Sequence, residues 1–158
     1  MAKGKTNAMR ILDAGKIPYE MHTYEAGDGK IDGVSVAEKV GRDPAIVYKT
    51  LVAQGTSKQV YVYVIPVAEE LDLKKAASVA KEKKIEMIAV KDIQKLTGYI
   101  RGGCSPVGMT KKYPTFIEVA AETHDTIIVS GGKIGTQIEL KPALLAEVTG
   151  ADFVELIK

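Results

Sequence analysis

Apolar and polar residues alternate along the chain in short blocks, each about as long as one strand or one short helix. Helical spacing of apolar residues, together with capping residues and terminal glycines, predicts five helices. They run from the cap Thr6 to Gly15, from a capping box of Ser35 and Glu38 to Gly41, from Asp72 to Lys84, over Lys91–Thr97 and from Pro142 to Gly150. The Asp72 helix should bury Leu73, Ala76, Ala77 and Ala80 as one stripe.

Runs rich in β-branched and aromatic residues predict the strands. The best defined are Tyr48–Gln54 and Gln59–Val67, which Gly55–Lys58 should join as a hairpin. Further strands are predicted over Ile17–Tyr24, Glu86–Val90, Thr115–Val119, Thr126–Val129, Gln137–Leu140 and Phe153–Ile157. The pattern favours the α+β class, a mixed and mainly antiparallel sheet with helices around it, in a single domain over residues 1–158.

Length and composition exclude several classes of protein. A chain of 158 residues with 46% apolar residues can bury one self-sufficient core. The single cysteine, Cys104, cannot form an internal disulfide, which favours a reducing cytoplasm. No signal peptide is predicted, and the longest uncharged apolar stretch, Val60–Ala68, is far shorter than the roughly 20 residues of a spanning helix. We therefore expect a cytoplasmic protein with no membrane partner.

The first candidate for chemistry is Lys49, which enters an otherwise apolar strand between Tyr48 and Thr50. Strand residues alternate faces, so Lys49 should point away from these two neighbours. It could be an ordinary edge lysine on the solvent face. It could also be a cation on a rigid element that holds a phosphate or a carbonyl oxygen.

Two glycine-rich segments are the next candidates. The first, Gly98–Gly108, contains four glycines and one proline, and the second, Ser130–Lys133, follows a predicted strand. They could be a tight surface turn and a Gly-Gly hairpin. Glycines also let backbone N–H groups approach a ligand and form an anion-binding nest. Neither segment matches a Walker loop or a dinucleotide fingerprint.

The usual nucleophiles and metal ligands are poorly represented. His22 and His124 lie about a hundred residues apart and are interpreted as structural or surface histidines. Cys104 is interpreted as loop packing, and no Cys and His cluster has zinc spacing. We expect no metal and no cofactor. Taken alone, the net charge of +2 argues against a dedicated nucleic-acid-binding protein, and we expect no DNA partner.

Three ordered motifs carry a resemblance to a known family: Tyr48–Val52, Gly98–Gly108 and Val129–Leu140. With His22–Tyr24 and Leu73–Ala77, the chain resembles the YbaK family from Thr6 to Leu156. This family comprises free-standing relatives of the editing domain inserted in bacterial prolyl-tRNA synthetase. The resemblance implies a mixed, partly barrel-like sheet surrounded by helices.

The resemblance also implies a function: a trans-editing deacylase that removes cysteine from Cys-tRNA(Pro), with Cys-tRNA(Cys) as a further substrate to consider. A pocket separates near-isosteres such as proline and cysteine by only about 1 to 3 kcal/mol, so editing is needed after charging. In the family view, the cysteine thiol attacks its own ester carbonyl. Deacylation by this route does not require a nucleophile from the protein.

Site roles follow from the motif match. The resemblance implies that Lys49 and Gly103 are catalytic, Lys49 by holding the terminal adenosine phosphate or the ester oxygen and Gly103 through its backbone N–H. The implied substrate-binding residues are Tyr24, Thr50, Gly102, Ser105, Pro106, Ser130, Gly131 and Gly132. One position departs from the family pattern, because Ile134 stands where an arginine is expected.

Two alternatives stay open. The protein could hydrolyse another small aminoacyl group, such as that of Ala-tRNA(Pro), with a bound water. It could instead be a non-catalytic module that binds tRNA or a synthetase. The expected partners are the 3′ end of a mischarged tRNA and, transiently, prolyl-tRNA synthetase. Lys49, Arg101, Lys111, Lys112 and Lys133 lie in or beside the implied site segments and should form a basic mouth for the RNA.

Overall fold

Two sheets and five helices make up the fold of the computed structural model, which describes residues 5–30 and 32–158. The helices are α1 (Asn7–Ala14), α2 (Gly33–Val40), α3 (Leu73–Ala80), α4 (Val90–Thr97) and α5 (Pro142–Thr149). The strands are β1 (Glu20–Thr23), β2 (Tyr48–Gly55), β3 (Val60–Pro66), β4 (Ile85–Met87), β5 (Thr115–Glu118), β6 (Ile127–Lys133), β7 (Thr136–Leu140) and β8 (Asp152–Val154).

The larger sheet has the order β4-β2-β3-β5-β8, and the smaller has the order β1-β7-β6. Pairing is antiparallel throughout the smaller sheet and for β2 with β3 and β4, whereas β3–β5 and β5–β8 are parallel. A parallel bridge between Val47 and Ile128 connects the two sheets. The predicted α+β class and mixed, mainly antiparallel pairing are confirmed. Among the described helices, none has the length and apolar character to cross a bilayer.

The core is organised by β3, every residue of which is buried. Its alternating faces pack into two different clusters. Val62 and Val64 join the cluster that contains Leu12 of α1 and Leu145 of α5. Tyr63 faces the opposite way and donates a hydrogen bond to Ala76 O of α3 at 2.9 Å. Both faces of the central strand are therefore covered, which makes β2 beside it a rigid support.

The predicted hairpin and all five helices are present, with corrections at their ends. Asp32, not Ser35, caps α2, because its carboxylate accepts from the Ser35 N–H at 3.1 Å. The third helix ends at Ala80 rather than Lys84, since Lys81 adopts a left-handed conformation with φ 58°. Leu73, expected in its buried stripe, is 44% exposed. It occupies the first helical position, where the side chain faces solvent.

The strands also differ from prediction at their ends. The first is confined to β1 because Ile17 to Tyr19 lie outside the antiparallel ladder with β7. The last strand, expected over Phe153–Ile157, is β8, and beyond it Ile157 forms only an isolated bridge with Leu71.

A buried carboxylate ties β1 and β7 to the segment after α2. Glu139, which is 7% exposed, lies 2.7 Å from His22 Nε2 and 3.1 Å from an Arg42 nitrogen, and it accepts the Thr126 hydroxyl. Glu20, His22 and Glu139 place three ligand-type atoms within 4.8 Å of one another. Because the Arg42 cation already compensates the buried carboxylate, we interpret this group as a structural ion-pair cluster.

This cluster predicts an acid-sensitive contribution to stability. Burial alone would raise the pKa of Glu139, but the Thr126 and His22 hydrogen bonds and the Arg42 charge outweigh it and lower that pKa. A lowered folded-state pKa stabilises the fold fully above the unfolded glutamate value of about 4.3, and the contribution is lost as pH falls through the folded value. Glu139→Gln should therefore unfold at lower urea than wild type at pH 7.

Urea unfolding from pH 7 to pH 3 measures this contribution. The difference in the free energy of unfolding between wild type and Glu139→Gln should become smaller as pH falls below about 4. Glu147→Gln is the control, since Glu147 is an exposed glutamate on α5 whose side chain makes no hydrogen bond or ion pair among the described residues. A gap that stays constant across this pH range would contradict the assignment.

Candidate active site

Four buried polar atoms that make no hydrogen bond within the described residues all belong to residues of one pocket. They are Tyr24 OH, Tyr48 OH, Thr50 Oγ1 and Gln137 Oε1. Buried polar groups in folded proteins are nearly always hydrogen-bonded, so four unpartnered groups at one place are unusual. The pocket, called the first pocket below, has a volume of about 120 Å³. These unpartnered groups indicate that it is shaped to receive a polar ligand.

Lys49 supplies the charge of the first pocket. It is half-buried on β2, between Tyr48 and Thr50, and forms part of the pocket wall. Within residues 5–30 and 32–158 its amine makes no ion pair or hydrogen bond, and no carboxylate lines the pocket. β4 pairs only with Ala53–Gly55, so at Lys49 β2 is paired with β3 alone, but Lys49 is half-buried and lines the pocket instead of the solvent face. Lys49 is therefore the one charged residue among the described residues that line the pocket.

The segment 98–109, called the glycine loop below, forms another wall. Gly102 lines the first pocket with φ +87°, a conformation that favours glycine. At Gly103 an added Cβ would lie 2.9 Å from backbone atoms of Lys133 and Ile134. The loop can approach the β6–β7 turn this closely only because Gly103 has no side chain. Ser105 is fully buried, and its hydroxyl accepts from the Val107 N–H at 3.2 Å.

The second glycine segment is part of a strand and not a hairpin turn. Gly131 and Gly132 lie inside β6, at a β-bulge where the register with β7 shifts between Ser130 and Lys133. The chain reverses after Lys133 instead, so the interpretation as an ordinary Gly-Gly hairpin is wrong. The bulge lets the Ser130 hydroxyl accept from the Gly132 N–H at 3.2 Å while Ser130 lines the pocket.

The structure brings together half of the residues implied by the resemblance. Tyr24, Lys49, Thr50, Gly102 and Ser130 line the first pocket. The remaining members fall into two groups. Gly103, Ser105, Gly131 and Gly132 belong to the segments that form its walls without lining it, whereas Pro106 lines a second pocket.

Gly103 was expected to offer its backbone N–H to the substrate. In this structure that N–H donates to Ile100 O at 3.0 Å, closing a turn within the glycine loop. The observed role of Gly103 is therefore the close approach of the loop to Lys133 and Ile134. A contribution of its N–H to the reaction stays a prediction.

Sequence reasoning missed several lining residues. Gln137 is the most important, because the β6–β7 register places it directly opposite Ser130 and the β1–β7 register opposite His22. Three of the five residues of β7 are polar, so the sequence of this strand does not distinguish Gln137. The other lining residues without an assigned site role are Gly33, Val36, Val47, Tyr48, Val67 and Cys104.

Burial keeps two ionisable groups of the first pocket neutral at pH 7. Burial raises the pKa of the Cys104 thiol to about 11, so it is protonated at pH 7 and a poor nucleophile. Burial, with a smaller contribution from the charge of Glu118, raises the pKa of Tyr48 to about 12. Neither His22 nor His124 lines this pocket. No lining side chain is thus prepared to attack an ester.

Tyr24 is held in the wall by contacts around Lys39. The Lys39 ammonium lies 2.8 Å from Asp28 Oδ1, 2.8 Å from Lys30 O and 5.8 Å from the centre of the Tyr24 ring. It also donates to Glu25 O. One cation thus joins α2 to the segment that follows β1, and this segment carries Tyr24 at the pocket.

The close approach at Gly103 predicts the effect of adding one methyl group. Gly103→Ala should force the glycine loop away from Lys133 and Ile134, which costs about 1 to 3 kcal/mol for overpacking. Gly15→Ala is the matched control, because a Cβ there meets nothing closer than 3.5 Å and φ is −84°. Urea unfolding of both variants tests this. Equal stability of the two would show that the loop is not closely packed.

The chain is similar in sequence to known aminoacyl-tRNA editing proteins. The family model described as the aminoacyl-tRNA editing domain matches residues 32–148. A protein of Enterococcus faecalis, named as a candidate Cys-tRNA(Pro)/Cys-tRNA(Cys) deacylase, EbsC, is 44% identical over 152 residues. The match covers 96% of this chain and 93% of that protein.

Solved structures share the fold. One is described as a candidate trans-editing enzyme for prolyl-tRNA synthetase, with a TM-score of 0.83, 22% identity and 98% coverage of both chains. Another, of a hypothetical protein, has a TM-score of 0.88 and 20% identity and covers 97% of this chain and 100% of its own. These two likenesses confirm the predicted fold, and the family match confirms the resemblance noted in the sequence. The chain belongs to the aminoacyl-tRNA editing domain family.

Proposed function

We propose that this protein is an aminoacyl-tRNA deacylase that removes cysteine from Cys-tRNA(Pro), with Cys-tRNA(Cys) as a second substrate. The observation that carries the proposal is the first pocket, where an uncompensated Lys49 stands among unpartnered polar groups and no ionised nucleophile. Such a site can bind and polarise an ester but has no side chain to attack it. A substrate that brings its own nucleophile fits this arrangement.

The size of the first pocket supports a small aminoacyl group. Its volume of about 120 Å³ is well below the roughly 300 to 1,000 Å³ of pockets for drug-sized ligands. A pocket this small excludes large side chains, but it separates cysteine from serine or alanine only weakly. Selection among these small groups must therefore come from the chemistry of the substrate side chain.

The cysteine thiol supplies that chemistry. With a pKa near 8.5, a few per cent of the thiol is ionised at neutral pH. The sulfur attacks the carbonyl carbon of its own ester, and a carbon–sulfur bond forms as the bond to the ribose oxygen breaks. The ribose oxygen leaves with a proton, so the tRNA is released with a free hydroxyl. Water then opens the cyclic thioester to give free cysteine.

In this proposal Lys49 acts through its charge, in one of two alternative ways. Its ammonium can stabilise the negative oxygen that develops on the ester carbonyl. Alternatively it holds the phosphate of the terminal adenosine and thereby orients the ester. Lys49 lies on a strand that pairs at this position with the fully buried β3, which limits its movement, and we propose orientation of thiol and carbonyl as the main source of acceleration.

The remaining implied residues are proposed to bind the aminoacyl-adenosine. We assign Tyr24, Thr50, Gly102 and Ser130 to direct contact, because they line the pocket. We assign Ser105, Pro106, Gly131 and Gly132 to shaping the two glycine segments. For the Gly103 N–H to stabilise negative charge, it must be released from Ile100 O or shared with the ligand. Ile134 cannot supply the phosphate contact of the expected arginine.

The setting of this activity is also part of the proposal. We place the protein in the cytoplasm as a single editing domain over residues 1–158, acting on tRNA that a synthetase has already charged. A transient complex with prolyl-tRNA synthetase would bring it to the substrate as it is released. These assignments are supported by the family and by the deacylase name of the 44% identical relative.

The mechanism predicts how the rate depends on the aminoacyl group. Purified protein should deacylate Cys-tRNA(Pro) much faster than Ser-tRNA(Pro) or Ala-tRNA(Pro), since only cysteine carries a thiol. Radiolabelled tRNA in a single-turnover assay measures the three rates. Equal rates would contradict cyclisation and support attack by a bound water. No hydrolysis of any substrate would support a non-catalytic binding module.

The role of Lys49 predicts a large loss on its removal. Lys49→Ala should lower the deacylation rate of Cys-tRNA(Pro) by about 10² to 10³, the usual effect of removing one oxyanion-stabilising group. Lys95→Ala, an exposed lysine of α4, is the charge-matched control and should behave as wild type. A rate within threefold of wild type for Lys49→Ala would exclude Lys49 from the reaction.

A further inference from the structure

A second pocket shares the glycine loop with the first. Gly102 and Cys104 line the first pocket, whereas the run Pro106–Met109 lines the second. Cys104 and Pro106 are two residues apart, so their Cα atoms are separated by at most about 7 Å. The two pockets are therefore lined by neighbouring residues of a single loop.

The second pocket is cationic and its wall contains no carboxylate. Lys111 and Lys112 line it, both are exposed, and neither forms an ion pair within the described parts of the chain. Three further pockets also have lysine or arginine in their walls, but each of these includes a carboxylate. The carboxylates are Glu122 and Asp125 in one, Glu86 in another, and Glu20 and Glu139 in the third. The first and second pockets therefore share a charge pattern that the other three lack.

The rest of the second pocket is mostly apolar. Ile11 of α1, Val148 of α5 and the ring of Tyr113 contribute to its wall. The Tyr113 hydroxyl donates to Leu96 O at 2.6 Å, which fixes the ring. Apolar side chains beside lysines suit a nucleotide, because the base can pack on the apolar side chains while the phosphate meets the ammonium groups. The volume of about 190 Å³ is larger than that of the first pocket.

We propose that the second pocket binds the nucleotide that precedes the terminal adenosine of tRNA, with Lys111 and Lys112 contacting its phosphodiester. This inference rests on the proposed function, since it takes the aminoacyl-adenosine to occupy the first pocket. The glycine loop then contacts the RNA strand on both sides of one phosphodiester linkage. Recognition is independent of the base, because apolar packing and phosphate contacts carry no sequence information.

Binding of uncharged tRNA tests the proposal without requiring catalysis. The variant Lys111→Ala/Lys112→Ala is compared with Lys74→Ala/Lys83→Ala, two exposed lysines that lie in neither pocket. Both pairs lower the net charge by the same amount, so long-range attraction to RNA is matched. Fluorescence anisotropy of end-labelled tRNA gives the Kd at several salt concentrations, and thermal unfolding checks that both variants fold.

For the second-pocket pair, the slope of log Kd against log salt should fall by about 0.7 for each lost contact with a single strand. Relative to its effect at 1 M salt, the loss of one contact should therefore raise the Kd for tRNA at 0.1 M salt by about fivefold. The loss of two contacts should raise it by roughly 25-fold. Only the Lys111→Ala/Lys112→Ala variant should show this weaker binding and smaller slope. A Kd and a slope equal to those of the control pair would overturn the proposal.

The two hypotheses fail in different ways. If wild type binds tRNA through Lys111 and Lys112 but releases no amino acid from any charged tRNA, the proposed activity is wrong and the nucleotide site stands. If wild type deacylates Cys-tRNA(Pro) while the second-pocket pair binds tRNA like the control, the activity stands and the nucleotide site is wrong.

Discussion

The contact between the glycine loop and the β6–β7 turn is the constraint on which both pockets depend. A side chain at Gly103 would come within 2.9 Å of the Lys133 and Ile134 backbone, so the two segments meet main chain to main chain. Gly131 is similarly restricted, since a Cβ there would lie 2.9 Å from Thr136 Cγ2 and 3.2 Å from Met9 Cε. The same loop lines the first pocket through Gly102 and Cys104 and the second pocket through Pro106–Met109. Gly103 and Gly131 matter here because they let backbone segments pack closely and so set the position of the loop, and not because they make it flexible.

The distribution of charged groups indicates which kind of reaction the first pocket can support. The buried carboxylate Glu139 is engaged by His22, Arg42 and Thr126 and does not line the first pocket. Lys49 has no counter-ion among the described residues, and it shares the first pocket with the Cys104 thiol, whose pKa burial raises to about 11. An environment of this kind favours an anion or a developing negative charge, and it disfavours nucleophilic attack by the protein. The substrate thiol completes the set of groups that the reaction needs.

Local signals were enough to predict most of the fold. The turn Gly55–Lys58 identified the β2–β3 hairpin, and Gly41, Gly98 and Gly150 ended their helices in left-handed conformations. The errors arose where a local rule was broken. Lys81 adopts a left-handed conformation without being glycine, which ends α3 early, and the bulge in β6 moves the chain reversal beyond Gly131 and Gly132. Neither effect has a signature in residue type.

The candidate site was predictable where its residues fall in motifs, as Lys49, Thr50, Gly102 and Ser130 do. Gln137 was not, because its place opposite Ser130 depends on strand register, which the bulge between β6 and β7 sets. The separation of Gly102 and Pro106 into two pockets also depends on tertiary packing. Sequence therefore indicated which segments form the site, and the structure showed which side chains meet there.

A structure with a non-hydrolysable analogue, in which an amide joins cysteine to the ribose of adenosine, tests the central claim most directly. The account predicts the cysteinyl group in the first pocket, with the Lys49 ammonium within hydrogen-bond distance of its carbonyl oxygen or of an adenosine phosphate. At least some of the unpartnered atoms of Tyr24, Tyr48, Thr50 and Gln137 should then contact the ligand. An analogue bound elsewhere, with Lys49 and these four groups still without contacts, would contradict the account.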